Sequence, residues 1–308
     1  MIAARRRVEI CARDLPGAPA DPAEAVGKAR ELGFGGVHFP SVTAISARHE
    51  ARQLAEFAEF AAEQQVNVSL AVGMLNAYRL ERAAELLAAG SGDLLRGFDR
   101  TLASAAALGV HELTVIVGTE ADRFDPAIPW PEQLRATGDL LARLAPVLRD
   151  AGSRLLIKTH EEITTFEIVR LVEAVGPDVL GVAFDPVNVL IRLEDPVAAA
   201  RRVAPHTRAI HLDDAWLCQT PRGLARRMCP LGRGILDWPP QLPEDTRLVL
   251  DFHRAELELP YFDQTWLAAQ PDATCAELAA LAAHAAADRE PVSDLGVRLT
   301  AALDALPR

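Results

Sequence analysis

Residues 155–162 read LLIKTHEE, residues 180–188 read LGVAFDPVN, and residues 208–214 read RAIHLDD. Each of these stretches begins with a short apolar run and ends in polar residues that can take part in chemistry. The segments between them have the amphipathic pattern of helices. This alternation is typical of parallel strands joined by crossover helices, and such folds place their sites at the carboxyl ends of the strands.

The same alternation extends over most of the chain. Eight apolar runs predict strands: VEICA (8–12), GGVHFPSV (35–42), VNVSLAVGM (66–74), ELTVIV (112–117), LLIKT (155–159), LGVAFD (180–185), RAIHL (208–212) and RLVLDF (247–252). Eight strand–helix units indicate one (β/α)8 TIM-barrel domain over residues 1–308, with a helical addition at about 290–308. A doubly wound open sheet is the alternative, but no strand is followed by a G-x-G-x-x-G loop. Residues 216–234 are expected to be irregular.

Composition narrows the classes of partner. The 308 residues carry a formal net charge of −11, and an acidic surface disfavours binding to nucleic-acid phosphates. No run approaches the roughly 18 apolar residues that a membrane span needs. The four cysteines, Cys11, Cys218, Cys229 and Cys275, lack C-x-x-C spacing, which is typical of reduced thiols. We therefore expect a cytoplasmic protein with a small-molecule substrate. Whether the chain forms a homo-oligomer is left open by the sequence.

Polar residues follow four consecutive predicted strands. Alternate residues of a strand share a face, so three pairs are expected to point together: Lys158 with His160, His211 with Asp213, and Asp251 with His253. Asp185 ends the strand between them. Charged residues are rarely buried without a purpose, so convergence of these groups predicts a site. We expect four of them to be catalytic: Lys158, His160, Asp251 and His253.

The chain resembles the sugar phosphate isomerase/epimerase superfamily, whose members have a xylose isomerase-like TIM barrel. The matching residues are Lys158-Thr159-His160, Asp185-x-x-Asn188, His211-x-x-Asp214, Leu231-Gly232-x-Gly234-x-x-Asp237-Trp238 and Asp251. The resemblance covers most of the chain in strand order. It implies the fold but does not name a substrate, because the superfamily includes isomerases, epimerases, dehydratases and abasic-site endonucleases.

The resemblance also implies a metal site with one ligand from each of strands five to eight. The corresponding residues are Lys158, Asp185, His211 and Asp251. Lys158 stands where the family usually has Glu, and a protonated ammonium cannot ligate a divalent cation. Three interpretations stay open. In the first, one divalent metal (Mn, Mg, Zn or Co) binds Asp185, His211 and Asp251. In the second, Lys158 lies among Asp185, Asp213 and Asp251, and its charge replaces that of the metal. In the third, a salt bridge fills an inactive metal site.

Other polar residues are candidates for binding the substrate. His38 lies near the carboxyl end of its predicted strand, and Asn188 and Asp213 follow theirs. Four arginines lie beyond strand seven, where a phosphate or carboxylate can be clamped: Arg222, Arg226, Arg227 and Arg233. Of these we expect Arg233 to contact the substrate. A solvated basic loop is the alternative for this group.

The resemblance, together with the polar residues at the strand ends, implies an isomerase/epimerase-type enzyme that acts on a sugar, cyclitol or keto acid. Its chemistry would begin with proton abstraction next to a carbonyl and would end in isomerisation, epimerisation or dehydration. The altered metal position motivates a second hypothesis, a catalytically reduced barrel that binds a sugar-like ligand or a partner protein. An abasic-site endonuclease is disfavoured by the net charge of −11 and by a shortage of ligands for several zinc ions.

Overall fold

A computed structural model of the chain describes residues 4–236, 246–287 and 289–306. Its strands are β1 (Val8–Cys11), β2 (Gly36–Phe39), β3 (Asn67–Met74), β4 (Glu112–Ile116), β5 (Arg154–Lys158), β6 (Leu180–Phe184), β7 (Thr207–Leu212), β8 (Asp214–Thr220), β9 (Gly223–Cys229), β10 (Arg247–Leu250) and β11 (Leu257–Leu259). Eight parallel strands close into a barrel in the order β1-β10-β7-β6-β5-β4-β3-β2. This topology confirms the predicted (β/α)8 fold.

Helices follow the barrel strands and surround them. Their bounds are α1 (Pro22–Leu32), α2 (Ala51–Glu63), α3 (Ala84–Ala89), α4 (Leu94–Ala107), α5 (Glu120–Arg123), α6 (Trp130–Asp150), α7 (Thr165–Val175), α8 (Pro186–Val189), α9 (Pro196–Val203), α10 (Gln264–Ala268), α11 (Cys275–Ala283) and α12 (Leu295–Ala305). Local chemistry sets several starts. Asp21 caps α1 ahead of Pro22, and Thr164 forms a capping box with Glu167 at the start of α7.

The barrel strands have two buried faces. The outward face packs against the helices and belongs to the main hydrophobic cluster, as Ile157 and Leu212 do. Leu156, Ala183 and Ala209 form a separate small cluster. Each lies two residues before a candidate site residue, so Lys158, Asp185 and His211 continue the same face toward the carboxyl ends of the strands. An apolar layer therefore lies directly beneath the candidate site.

The prediction of an irregular stretch over residues 216–234 is wrong for most of its length. Strands β8 and β9 form an antiparallel hairpin, and β11 extends it to a three-stranded sheet. Leu217 and Leu224 pack in a second apolar cluster with Val187 and Ile191. The consecutive charges of Arg226 and Arg227 hide the strand pattern in the sequence, although the side chain of Arg226 is buried.

The predicted C-terminal helix is present as α12, and it joins the barrel. Leu299, Ala302 and Leu306 belong to the main hydrophobic cluster, and Arg5 Nε donates to the carbonyl oxygen of Leu306 at 2.8 Å. Two residues of the family motif, Asp237 and Trp238, lie outside the described residues. Among the helices that the structure describes, none is long and apolar enough to cross a membrane.

Candidate active site

A cavity of about 670 Å³ opens at the carboxyl ends of the barrel strands. Seven of the candidate residues named from the sequence line it: Arg226 in β9, and six residues at strand ends, His38, Lys158, His160, His211, Asp251 and His253. The convergence predicted from strand alternation is thus present. The six side chains at strand ends come from four barrel strands or the turns after them and meet around one volume, which is large enough for a small polyhydroxylated molecule.

Lys158 lies between two carboxylates at the base of this site. Its Nζ is 2.6 Å from Asp251 Oδ2 and 2.9 Å from Asp185 Oδ2. Burial alone would lower the pKa of Lys158, but the two carboxylates raise it above its ordinary value, which keeps the ammonium charged. Against the effect of burial, His253 and Lys158 lower the pKa of Asp185, and Lys158 lowers that of Asp251.

The residue type at this position stands out in the composition. The chain has 32 basic residues, of which two, Lys28 and Lys158, are lysines. An ammonium is a compact charge, whereas a guanidinium is a planar fork. A compact cation suits the narrow space between Asp185 and Asp251. Lys158 is buried, whereas Lys28 forms an i,i+4 pair with Glu24 on the surface of α1.

His211 is oriented by the same carboxylate that holds Lys158. Its Nδ1 lies 2.8 Å from Asp251 Oδ2, and its Nε2 has no hydrogen-bond partner among the described residues. Burial, reinforced by the charge of Lys158, lowers the pKa of His211. A neutral imidazole that donates from Nδ1 to Asp251 keeps a lone pair on Nε2, and this lone pair can accept a proton or a hydrogen bond.

His253 is held between two further carboxylates. Its Nε2 is 3.1 Å from Asp185 Oδ2 and its Nδ1 is 3.0 Å from Asp213 Oδ2. Burial opposes protonation, but Asp185 and Asp213 raise the pKa of His253 to about 9. Asp213 was predicted to lie around Lys158 and to bind the substrate. The structure pairs it instead with His253 and Arg298, and Asp213 is not among the cavity-lining residues.

Asn188 was predicted to bind the substrate, but it instead contacts residues that line the cavity. It is fully buried, and its Oδ1 accepts a hydrogen bond of 2.8 Å from Arg226 Nη1. Its Nδ2 lies 3.2 Å from His253 Nε2 and 3.2 Å from the carbonyl oxygen of Thr159. Asn188 is also not among the cavity-lining residues. Its contacts position His253 and Arg226.

His160 lies on the cavity wall beside two glutamates. Its Nδ1 is 2.6 Å from Glu162 Oε2, and its Nε2 is 3.8 Å from Glu161 Oε2. Burial would lower the pKa of His160, but the charge of Glu162 raises it above its ordinary value. His160 therefore carries a proton more readily than a free histidine and can serve as an acid.

His38 closes another part of the wall. Its ring lies edge-on to the His211 ring, with 5.7 Å between the centroids. His38 Nδ1 is 2.8 Å from Ser69 Oγ, and Ser69 in turn bonds to the buried carboxyl of Glu9. Burial and the neighbouring His211 place the pKa of His38 well below its ordinary value. A neutral His38 can contact a substrate hydroxyl without adding charge.

Two arginines at the cavity mouth were not recognised in the sequence. Arg13 follows β1, and its Nη2 lies 2.5 Å from Asp251 Oδ1. Arg254 follows β10, and its Nη2 lies 2.8 Å from Asp14 Oδ1. Arginines are common in this chain, so nothing in the sequence distinguishes these two. Their proximity arises only when the barrel pairs their strands.

The predicted group of clamping arginines does not gather at the cavity. Arg226 alone of the four lines it. The guanidinium of Arg226 donates hydrogen bonds to Asn188 Oδ1 and to the carbonyl oxygens of Val187 and Ala255. Arg233, predicted to bind the substrate, is exposed and is not among the lining residues.

The glycines of the family motif have a structural explanation. The carboxylate of Asp214 accepts hydrogen bonds from the backbone nitrogens of Gly232 and Gly234, at 3.0 and 2.8 Å. Gly232 has a positive φ of 78°, and a Cβ on Gly234 would lie 2.0 Å from Asp214 Oδ1. The motif therefore ties the segment after β9 to the start of β8.

Asp185, Asp251 and His253 have the composition of a metal site. One ligand atom from each lies within 4.8 Å of the others, so His253 takes the place that His211 has in the predicted set. The Lys158 ammonium, however, contacts both carboxylates at 2.6 and 2.9 Å. It has no lone pair for a metal and repels a divalent cation. With Lys158 in this position, the donor set does not fit a divalent metal.

Comparisons with known proteins agree with this fold. Residues 26–244 match the sequence model of a family described as xylose isomerase-like TIM barrel. The uncharacterized protein YihM of Escherichia coli K12 is 31% identical over 94 residues, which are 30% of this chain and 29% of YihM. The 3-oxo-isoapionate decarboxylase of Pectobacterium atrosepticum is 28% identical over 122 residues, 37% of this chain and 42% of that enzyme. The matched segments thus span less than half of either relative.

Solved structures share the barrel at low identity. The IOLI protein with a bound zinc atom has a TM-score of 0.59 at 13% identity, over 89% of this chain and 98% of that one. A xylose isomerase-like protein from Mycobacterium smegmatis in complex with magnesium gives 0.58 at 15%, over 89% and 97%. The 3-keto-D-glucoside 4-epimerase YcjR from Escherichia coli gives 0.54 at 16%, over 86% and 95%. At these identities the likeness shows the fold alone.

Proposed function

The chain belongs to the xylose isomerase-like TIM barrel family, and on that premise we propose that it is an enzyme that forms an enolate next to a carbonyl of a small polyhydroxylated or keto-acid substrate. The observation that carries the proposal is the Lys158 ammonium, which lines the cavity between Asp185 and Asp251. An ammonium has three N–H donors, and two carboxylates engage two of them. The third is available to the substrate oxygen on which negative charge develops.

His211 is the proposed base. Its Nε2 lone pair faces no described partner, while Asp251 accepts from its Nδ1. The C–H bond next to the carbonyl breaks, the proton moves to His211 Nε2, and the electron pair moves to the carbonyl oxygen, where Lys158 stabilises the enolate. Asp251, which is buried, thereby orients both the base and the cation.

His160 is the proposed acid. Where the deprotonated carbon carries a hydroxyl, transfer of that O–H proton to the enolate oxygen makes the second carbon the new carbonyl, and return of a proton to the former carbonyl carbon gives isomerisation. Delivery of the proton to the opposite face of the original carbon gives epimerisation. Proton transfer from His160 to a departing β-hydroxyl gives dehydration. His253 lines the cavity as a further cation, fixed by Asp185 and Asp213. In this mechanism the positive charge that a metal would supply comes from Lys158, so no step requires a metal.

Decarboxylation of a β-keto acid is a second candidate reaction. The C–C bond to the carboxylate breaks, carbon dioxide leaves, and the electron pair moves to the keto oxygen as an enolate, which then takes a proton from an acid. This step needs a cation beside the keto oxygen and no base, which matches Lys158. This candidate is favoured by the similarity to 3-oxo-isoapionate decarboxylase, which covers 37% of the chain.

The test is exchange of carbon-bound hydrogen in D2O, followed by proton NMR over a panel of ketoses, cyclitol ketones and β-keto acids. We expect exchange, isomer formation or carbon dioxide release with at least one member. Lys158→Met and His211→Gln should each slow proton exchange by about 10²–10⁴-fold. Decarboxylation would instead depend on Lys158 and tolerate His211→Gln.

Matched controls are available for both variants. Lys28→Met changes the other lysine, and His111→Gln changes an exposed histidine that does not line the cavity. Both should retain the wild-type rate. No turnover with any panel member, together with measurable ligand binding, would favour the catalytically reduced barrel.

A further inference from the structure

We propose that the cavity selects substrates that carry an oxyanion, and that Arg13 and Arg254 form the clamp for it. The inference rests on the proposed function and names the substrate class: a small polyhydroxylated molecule with a carboxylate or phosphate group. Guanidinium groups bind both oxyanions through paired N–H donors. The two arginines line the same cavity as Lys158.

The closure of the barrel brings the two arginines together. Arg13 lies in the turn after β1, and Arg254 lies four residues after the end of β10. Strands β1 and β10 pair in parallel, with Ile10 opposite Leu250. The first and last strands of the barrel therefore present one arginine each on the same side of the mouth.

A buried carboxylate anchors the pair. Asp14 is 4% exposed, and its Oδ2 also accepts the backbone N–H of Phe252 at 2.9 Å. Arg254 Nη2 bonds to Asp14 Oδ1 at 2.8 Å and to the carbonyl oxygen of Arg13 at 3.2 Å. Arg254 is thus tied both to Asp14 and to the backbone of Arg13. The Arg13 guanidinium lies 2.5 Å from Asp251 and 4.0 Å from Asp14, so buried carboxylates hold both arginines at this edge.

Arg13 and Arg254 both keep N–H groups that these hydrogen bonds do not use. Their side chains remain 58% and 44% exposed. Each guanidinium has five N–H donors, and the hydrogen bond of Arg13 to Asp251 uses Nη2. An oxyanion at the mouth can therefore bond to both groups without displacing Asp14, which is pre-organised to support them.

The charge of the cavity favours an anion although the whole chain is acidic. Among the described lining residues, four are permanent cations, Arg13, Lys158, Arg226 and Arg254, and two are carboxylates, Glu161 and Asp251. The chain carries a net charge of −11. A basic mouth on an acidic protein attracts small anions locally and repels polyanions at long range.

The experiment is titration calorimetry with three probes that share one polyol skeleton: neutral D-glucitol, D-gluconate and D-glucitol 6-phosphate. We expect at least one anion to bind about tenfold more tightly than glucitol, with affinity that falls as salt rises. The gluconate and phosphate arms distinguish a carboxylate clamp from a phosphate clamp. Arg13→Gln and Arg254→Gln should each weaken anion binding by about 10- to 100-fold and leave glucitol binding unchanged.

Arg222→Gln is the matched control, because Arg222 lies at the turn of the β8–β9 hairpin and does not line the cavity. It should bind all three probes as the wild type does, and circular dichroism should confirm that every variant is folded. Equal affinity for charged and neutral probes, no binding of either anion, or no effect of the Arg13 and Arg254 variants would overturn the clamp.

The two proposals fail separately. Lys158→Met should slow deuterium exchange by about 10²–10⁴-fold and retain preferential anion binding. Exchange without preference for anions removes the clamp and leaves the enolate chemistry intact. Anion preference without any exchange or turnover removes the proposed reaction and leaves the clamp.

Discussion

The guanidinium of Arg298, in the C-terminal helix α12, pairs with the carboxylate of Asp213, at the carboxyl end of a barrel strand. Both side chains are buried, and Arg298 also donates to the carbonyl oxygen of His253 at 2.6 Å and stacks over Phe252. Asp213 in turn contacts both the backbone and the ring of His253. The C-terminal helix thereby fixes a histidine of the candidate site.

Arg298→Met should destabilise the protein by about 3–5 kcal/mol, because it leaves the carboxylate of Asp213 buried without its cation. Urea unfolding followed by circular dichroism measures the loss. The double variant Asp213→Asn/Arg298→Met removes the orphaned charge and should recover part of the stability. If the double variant is no more stable than Arg298→Met, the loss comes from packing on Phe252 and not from the charge.

Lys158→Glu should create a metal site. The substitution replaces the ammonium between Asp185 and Asp251 with a third carboxylate, and hard divalent cations prefer oxygen ligands. We expect about one Mn²⁺ per chain in the variant by elemental analysis and calorimetry, and none in wild-type protein purified without chelator. Lys28→Glu is the control and should bind no more metal than the wild type. Stoichiometric metal in the wild type would contradict the charge replacement.

The pKa of His160 should depend on Glu162. Glu162→Gln removes the carboxylate 2.6 Å from Nδ1 and should lower the pKa of His160 in an NMR titration. Glu161→Gln, whose carboxylate lies 3.8 Å from Nε2, should lower it less. Equal effects of the two variants would contradict the geometry.

The same shift links His160 to stability. The folded-state pKa is raised, so the folded protein binds the proton more tightly than the unfolded chain does. The contribution to the free energy of unfolding is full below the ordinary pKa of 6.5 and disappears as pH rises through the folded-state value. Wild type should therefore lose stability relative to His160→Gln over this window, as measured by urea unfolding at a series of pH values.

Gly234→Ala should destabilise the segment after β9. Its Cβ would lie 2.0 Å from Asp214 Oδ1 and 2.4 Å from the carbonyl oxygen of Ala215, so the chain must shift, at a cost of about 1–3 kcal/mol. Gly27→Ala is a matched control in helix α1, where a Cβ meets nothing within 4 Å. It should stabilise the protein by about 0.5–1 kcal/mol. Thermal unfolding of both variants checks the contrast.

The barrel and the centre of its candidate site were predictable because both follow from local patterns. Each barrel strand is an apolar run. Lys158 ends its strand, His211 is the penultimate residue of its strand, and Asp251 follows its strand directly. Parallel closure then brings strand ends to one place whatever the intervening loops do. Strand alternation therefore predicts which residues meet, whereas the pairing of individual charges depends on the folded structure.

The parts that were missed depend on contacts between distant residues. Asp213 looked like a substrate ligand because its partner, Arg298, lies 85 residues later in the chain. Arg13 and Arg254 gave no signal because their proximity arises from the pairing of the first and last barrel strands. The β8–β9 hairpin was hidden because the buried cation of Arg226 interrupts an otherwise apolar face.

The pairing of β1 with β10 also has a kinetic consequence. It joins Val8 to Leu248, and closing so long a loop costs conformational entropy, so we expect this pairing to form late in folding. The two arginines at the mouth and their shared anchor Asp14 lie next to this last contact. A folding intermediate with an open barrel would thus lack the proposed anion-binding edge. The rate at which anion binding recovers during refolding would then report the rate at which the barrel closes.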